Sequence, residues 1–269
     1  MSILATISSF VTAHGVLARP LEFAFIGGVL FIVYTVFRDF FRARKIQPKG
    51  FKWKTFRNEA IFAVINIALS GFLLGGLTTL GNKLGLIHFH KGGAWWVVAL
   101  EYAFYFFAFD TWFYWLHRLM HKEPIYKLVH KLHHFSTAPN LLTTFSVNPL
   151  ESFINGGFVP LVTMAWAFHS NTMLLIVPTN IIMGLYVHAG FEFFPRWWNK
   201  SWATKWFITT TFHDQHHKYF NFNYGGYTTL WDRACGTMRP KFEADFEKLK
   251  TRPREDPKRQ VETNPGLAA

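Results

Sequence analysis

The chain has 269 residues, a formal net charge of +12 at pH 7 and a single cysteine, Cys235. One cysteine excludes an intramolecular disulfide, a four-cysteine iron–sulfur cluster and a haem attached through C-x-x-C-H. Hydrophobic residues form 50% of the chain and lie in blocks, so the basic charge favours an anionic membrane surface over nucleic acid as the partner.

Long apolar stretches predict four to five membrane segments. A bilayer crossing needs about 20 apolar residues. The stretches cover 21–37, 60–80 and 94–116, followed by two shorter arms of a hairpin over 153–168 and 172–186. Buried helices of a large soluble protein are the alternative, but several uncharged stretches of this length rarely occur in one soluble domain.

These segments predict an all-α fold, an integral membrane helical bundle. We expect one membrane-embedded domain over 1–269, with the hairpin over 153–186 entering the membrane and returning to the same side. The stretch over 241–269 is polar and charged, and it is expected to form a C-terminal tail.

Basic residues in the loops predict the orientation of the bundle. The loop over 38–57 contains eight Lys or Arg residues, whereas the loop over 81–93 contains two. By the positive-inside rule, the first loop faces the cytoplasm and the second faces outside. The third span then ends with His117 at the cytoplasmic face, and the chain after residue 191 is cytoplasmic as well.

Histidines are concentrated in three boxes whose members are mostly three or four residues apart. This spacing places the members of a box on one helical face, and the expected topology brings all three boxes into a cytoplasmic helical cap. A second helix after Pro124 is expected to carry the middle box. The boxes are His117 and His121, then His130, His133 and His134, then His213, His216 and His217, while His188 ends the fifth segment.

The number of these histidines indicates a site for two metal ions. Imidazole nitrogen is a good ligand for iron, zinc, copper and nickel, and one tetrahedral metal needs at most four ligands. The eight box histidines together with His188 exceed that number. The alternative, surface histidines on basic helices that lie on lipid, would explain one box better than three. The remaining histidines, His14, His88, His90 and His169, are not assigned to the site.

The three boxes resemble those of the fatty acid hydroxylase and sterol desaturase superfamily of integral-membrane di-iron oxygenases. DTWFYWLHRLMHKEPIYKLVHKLHH and HDQHHKYFNFNYGGYTTLWDRACGT are similar to segments of the sterol C-5 desaturases, and HAGFE resembles a segment of the sterol methyl oxidases. The resemblance covers roughly half of the chain, from about Asp110 to Thr237. Many relatives have His-Pro shortly after the second box, where this chain has Asn148-Pro149.

The resemblance implies an O2-dependent oxidoreductase that hydroxylates or desaturates an unactivated C–H position of a sterol, fatty-acyl or sphingolipid type of lipid. It implies two iron ions held by the nine histidines, with no catalytic residue beyond the metal ligands. Zinc could occupy the same site after purification. It also implies an integral protein of a bacterial inner membrane or the endoplasmic reticulum, with the metal site on the cytoplasmic face. The lipid, the type of product and the oligomeric state are open at this point.

The electrons for such a reaction must come from another protein. Each turnover needs two electrons, and the chain has no flavin or dinucleotide fingerprint and no cysteine cluster. We therefore expect an external electron carrier, either a ferredoxin or a small cytochrome with its reductase. Lys and Arg residues on the cytoplasmic face would suit an acidic carrier.

Three acids and one amide are candidates for orienting the ligand histidines, because such histidines usually donate their second N–H to an acceptor. Asp110 lies two helical turns before His117, and its alternative role is an interfacial acid paired with a basic residue. Glu192 follows His188 by four residues and could be either a ligand or the group that orients His188. Asp214 lies within the last box. Asn148 occupies the place of a histidine found in many relatives.

Two other functions would fit the same boxes. A membrane zinc hydrolase would need a carboxylate that acts as a base, and Glu192 is the obvious candidate. A non-catalytic metal-binding membrane protein would need neither oxygen nor electrons.

Overall fold

The computed structural model describes residues 32–33, 35–47 and 52–252. They belong to two compact units, Lys45–Arg252 and a unit formed by Met1–Arg44 with Pro253–Ala269. The described part of the second unit contains helix α1, Arg38–Arg42. Most of the predicted span over 21–37 and the predicted tail from residue 253 onward lie outside the described residues.

The larger unit is mainly helical, which confirms the predicted fold class at this level. Its helices are α2 (Trp53–Lys83), α3 (Trp95–Met120), α4 (Pro149–Gly156), α5 (Phe158–Ala165), α6 (Ser170–Val187), α7 (Thr210–Tyr219), α8 (Leu230–Ala234) and α9 (Phe242–Thr251). Shorter helical turns cover Tyr126–His130, His133–Phe135 and Leu141–Thr144. Two short strands, β1 (Phe89–His90) and β2 (Phe168–His169), pair in parallel.

Helix α2 has a polar or small buried face and an apolar exposed face. Glu59, Asn66 and Ser70 are buried at helical spacing, whereas Val64 is 69% exposed and Phe72 is 76% exposed. This polarity is the reverse of that of a helix on the surface of a soluble protein. The described residues contain two helices that are long and apolar enough to cross a membrane, α2 and α6.

Helix α3 is the predicted third span, and it forms the core of the unit. Its 26 residues include many Tyr and Trp and two acids, and it is not among the described helices that are long and apolar enough to cross a membrane. Its buried face contains Tyr105 and Phe109, which pack with Phe168, Ile176 and Tyr227. This packing fixes the rotation of α3 and therefore the direction of the histidines at its end.

The predicted hairpin has a first arm that is divided into two short helices, α4 and α5. The two helices meet at Gly157, whose N–H donates to the carbonyl of Phe153 and whose carbonyl accepts the N–H of Leu161, so helical hydrogen bonds continue through the junction. The second arm is the continuous helix α6, which begins where the Nδ1 of His169 accepts the N–H of Asn171.

The middle histidine box does not lie on the regular helix that the sequence predicts. The chain forms a wide helical turn over Tyr126–His130 and a tight turn over His133–Phe135. Consecutive side chains of a helical segment point about 100° apart, so His133 and His134 face different directions here.

The beginning of the predicted polar tail forms helix α9. Phe242 and Phe246 are buried four residues apart, which gives this otherwise polar helix one apolar face. The ring of Phe242 lies 5.5 Å from the ring of Phe212 in α7. Packing of α9 against α7 thus supports the last histidine box.

Candidate metal centre

The nine histidines predicted as ligands converge into two clusters. The five-histidine cluster consists of His117, His121, His130, His134 and His216. The four-histidine cluster consists of His133, His188, His213 and His217. Within each cluster the candidate ligand atoms lie within 4.8 Å of one another. The clusters adjoin, because consecutive residues His133 and His134 enter different clusters and the rings of His134 and His217 are 4.9 Å apart.

Four parts of the fold position these histidines, and one of them is the end of α6, where His188 follows the last helical residue. His117 and His121 lie one turn apart at the end of α3. The irregular turns after α3 supply His130, His133 and His134. Helix α7 supplies the last box, and its first turn is fixed by the side chain of Thr209, which accepts the N–H of Phe212.

The spacing of the Nε2 atoms fits bound metal ions. Neighbouring Nε2 atoms are 3.1–3.2 Å apart in the five-histidine cluster and 2.9–3.3 Å apart in the four-histidine cluster. Metal–nitrogen bonds of about 2.0–2.1 Å place two ligands about 3 Å apart when they meet at right angles. Hydrogen bonds between the rings cannot satisfy so many converging nitrogens, whereas a cation at the centre of each cluster can.

Burial keeps these imidazoles neutral, which is the form that binds metal. Burial lowers the pKa of His134 to about 3 and that of His188 to about 4. The pKa values of His213, His216 and His217 lie well below the usual range, first because of burial and then because of the neighbouring imidazoles. The lone pairs on Nε2 are therefore available at neutral pH.

Backbone carbonyls orient three of the nine rings. The Nδ1 of His117 donates to the carbonyl of Tyr224 at 2.8 Å, and the Nδ1 of His216 donates to the carbonyl of Phe222 at 2.7 Å. The Nδ1 of His188 lies 2.8 Å from the carbonyl oxygen of Gly184. A proton held on Nδ1 leaves the lone pair on Nε2, directed into the cluster.

Glu151 is a member of the site that the sequence analysis missed. Its Oε1 lies 2.9 Å from the Nδ1 of His130, although the contact is not aligned as an ideal hydrogen bond. Both side chains are almost fully buried, and burial raises the pKa of the Glu151 carboxyl well above its usual range. A cation bound at His130 would favour the ionised carboxylate. The only sequence signal is an acid in the first turn of α4, 21 residues after His130.

Asp110 is buried, but its hydrogen bonds among the described residues go to a loop and not to a ring. Its carboxylate accepts the backbone N–H groups of Tyr227 and Thr228 and the hydroxyl of Thr228. Asp110 thus fixes the loop that follows α7. The idea that it orients His117 directly is corrected, because the loop occupies its hydrogen-bonding positions.

The other three candidates also contact groups other than imidazoles. Glu192 accepts the N–H groups of Phe194 and Thr211, one on each oxygen. Asp214 accepts from the amide of Gln47. Asn148 starts α4, since its Oδ1 accepts the N–H of Leu150 and its Nδ2 donates to a carbonyl in the second-box segment. These contacts shape the surroundings of the clusters.

The comparisons with known proteins agree with this site. The family model for fatty acid hydroxylase matches residues 102–237, a stretch that contains all nine histidines. A C-4 methylsterol oxidase of Schizosaccharomyces pombe is 29% identical over 166 residues, which is 56% of this chain and 54% of that protein. Methylsterol monooxygenase 1 of Danio rerio is 35% identical over 128 residues, which is 48% of this chain and 43% of that protein.

Lathosterol oxidase of Homo sapiens is 27% identical over 178 residues, which is 66% of this chain and 56% of that protein. The chain spans about half the length of the curated relatives it matches. No solved structure matches it.

Proposed function

Because the chain belongs to the fatty acid hydroxylase family, we propose that it is a membrane-bound di-iron oxygenase that hydroxylates or desaturates a lipid. The observation that carries the proposal is the convergence of nine buried or half-buried histidines into two adjoining clusters. When bound, two iron ions would supply the oxygen activation needed to remove hydrogen from an unactivated C–H bond. The five-histidine and four-histidine clusters would each hold one of them.

A sterol is the proposed type of lipid. The names of the relatives support this choice, since they are a methylsterol oxidase, a methylsterol monooxygenase and a lathosterol oxidase.

A location in the membrane is part of the proposal. Helices α2 and α6 could cross a bilayer, and the outward-facing apolar side chains of α2 would be unfavourable in water. The proposed orientation places the metal site on the cytoplasmic face, because the loop over 38–57 is strongly basic. The membrane would be a bacterial inner membrane or that of the endoplasmic reticulum.

Electrons would enter at the five-histidine cluster. His121 is its one partly exposed member, and its ring lies 5.8 Å from the half-buried ring of Tyr126. The ring of Phe220 lies 4.7 Å from that of His134 and 6.4 Å from that of Tyr126. These rings form a short aromatic connection between the protein surface and the cluster.

The partner at this surface would be an acidic electron carrier. Lys122 follows His121, Lys218 lies two residues before Phe220, and both lysines are exposed. Exposed positive charges accelerate and orient the docking of a negatively charged partner. A ferredoxin or a small cytochrome with its reductase would meet this requirement.

The environment of Glu192 disfavours the zinc hydrolase. Both of its carboxylate oxygens accept backbone N–H groups, those of Phe194 and Thr211. A general base must reach the water or substrate proton that it removes. Glu192 is instead used to fix the connection between α6 and α7.

The direct test is oxygen-dependent lipid turnover. The purified protein with iron, a sterol mixture, a carrier, its reductase and NADPH should consume O2 and form a hydroxylated or desaturated sterol. The His133→Ala variant is the matched control and should be inactive. Lipid profiles of a host with and without the gene would identify the substrate. Lipid hydrolysis without oxygen would contradict the proposal.

A further inference from the structure

The loop between α7 and α8 supplies two of the carbonyls that orient the five-histidine cluster. We name residues 222–228 the carbonyl loop. The carbonyl of Phe222 accepts from His216, and the carbonyl of Tyr224 accepts from His117. The loop is therefore placed to control how two ligands present their Nε2 atoms.

Two buried carboxylates hold this loop from different ends. Asp232 accepts the N–H of Tyr224 at 2.9 Å, the N–H of Gly225 at 2.7 Å and the hydroxyl of Thr237 at 2.7 Å. Asp110 accepts the N–H groups of Tyr227 and Thr228 at 2.8 and 2.9 Å. Each carboxylate thus binds two successive backbone donors and one threonine hydroxyl.

The contact of Asp232 with Gly225 involves the same peptide group that contacts His117. The N–H of Gly225 and the C=O of Tyr224 belong to one planar trans peptide, so they point in opposite directions. A hydrogen bond that fixes the N–H on one side therefore fixes the C=O on the other. Asp232, the peptide and His117 form a continuous chain of hydrogen bonds.

The close approach of this peptide to Asp232 requires glycine. A Cβ atom on Gly225 would lie against the carbonyl oxygen of Thr228 and 3.0 Å from the Oδ2 of Asp232. Any side chain would move the peptide away from the carboxylate. Glycine at position 225 therefore allows the short hydrogen bond between this peptide and Asp232.

We propose that Asp232 is a positioning residue for the metal site, acting on His117 through the Tyr224–Gly225 peptide. The inference rests on the proposed metal-binding function. The carboxylate holds and polarises the peptide, since hydrogen bonds in a chain strengthen one another. The Tyr224 carbonyl then keeps the proton of His117 on Nδ1, and the Nε2 lone pair points into the five-histidine cluster.

Asp110 provides a matched comparison because its hydrogen bonds lead elsewhere. The carbonyl of Tyr227 accepts the N–H of Ile208, which is not a ligand. Replacing either aspartate by asparagine removes one of the two carboxylates that contact the loop, and the size of the side chain is almost unchanged. The asparagine side chain is neutral, so neither substitution adds a buried charge.

The first measurement is metal affinity in full-length wild-type protein, Asp232→Asn and Asp110→Asn. Cobalt(II) is titrated into metal-free protein against a chelator, and its absorption spectrum reports the ligand arrangement. We expect Asp232→Asn to weaken binding of one of two ions about tenfold to a hundredfold and to change its spectrum. Asp110→Asn should affect the affinity and the spectrum less, because the Tyr227 carbonyl contacts Ile208 and not a ligand.

The second measurement does not depend on metal. In metal-free protein labelled with ¹⁵N-histidine, the Nδ1–H signal of His117 is assigned by its loss in His117→Ala. The signal should persist in the wild type and in Asp110→Asn and disappear through faster exchange in Asp232→Asn. A persistent signal in Asp232→Asn, or equal effects of the two asparagine variants, would overturn the proposal. A wild type that binds no cobalt would instead refute the metal site, while the proton signal would still decide the role of Asp232.

Discussion

The Nδ1 of His130 and the Oε1 of Glu151 lie 2.9 Å apart in an almost fully buried pair. An acceptor at Nδ1 orients a metal-ligating imidazole and increases its basicity. Glu151→Gln should therefore weaken metal binding at the five-histidine cluster about tenfold to a hundredfold. Chelator competition would measure the change. Glu123→Gln is the control, because Glu123 is exposed and pairs with Lys127 on the surface; an equal loss in both variants would contradict the role of Glu151.

Consecutive histidines should affect different metal ions. His134→Ala removes a member of the five-histidine cluster, and His133→Ala removes a member of the four-histidine cluster. Each variant should fall from about two bound ions to about one, as judged from the two ligand sets, with different spectra for the remaining ion. Elemental analysis and cobalt absorption would measure both effects. Identical residual spectra would show that the two histidines serve the same ion.

Stability of the metal-free protein should fall as the pH is lowered below about 6.5, the usual histidine pKa. Burial lowers the pKa of His134 to about 3 and that of His188 to about 4. The unfolded chain therefore takes up protons below pH 6.5 that the folded chain cannot bind, which favours unfolding. Melting temperatures between pH 8 and pH 5 would measure this, and they should be nearly constant above pH 7. Bound metal should be released over the same range, because protons compete for the imidazoles.

Charge reversal near the partly exposed edge of the five-histidine cluster should impair electron delivery. The double variant Lys122→Glu and Lys218→Glu should raise the KM for an acidic carrier several-fold, with kcat and metal content nearly unchanged, because docking depends on complementary charge. Lys83→Glu at the far end of α2 is the control. Added salt should reduce the difference between the variants, since screening acts over about 8–10 Å. Equal KM values would place the docking surface elsewhere.

The two ends of the bundle should be accessible from opposite sides of the membrane. In a Cys235→Ser background, Lys241→Cys should react with a membrane-impermeant maleimide only after the cytoplasmic side is opened. Lys83→Cys should react from the outside in intact cells or vesicles, as the positive-inside rule requires. Both residues are exposed. The reverse labelling pattern would move the proposed metal site to the other face.

The residue types and local spacing of the chain were sufficient to identify the nine histidines and the helical class, and two of the predicted spans correspond to described helices that are long and apolar enough to cross a membrane, α2 and α6. Pairs such as His117 and His121 share a face because the helical repeat is a local property of the backbone. The resemblance of the boxes to the fatty acid hydroxylase superfamily is confirmed by the family match over residues 102–237. That the histidines bind iron remains a prediction.

The tertiary structure alone decided how the histidines are divided and what surrounds them. His133 and His134 enter different clusters, and so do His216 and His217 on the regular helix α7, because consecutive helical side chains point in different directions and the packing places one cluster on each side. Glu151 reaches His130 only because α4 packs beside the turn that carries it. Asp110 and Glu192 were expected to orient histidine rings, but their carboxylates accept backbone N–H groups instead. Local spacing in the sequence cannot reveal these contacts. Contacts between distant segments depend on the packing of whole helices, so they are not encoded in any local pattern.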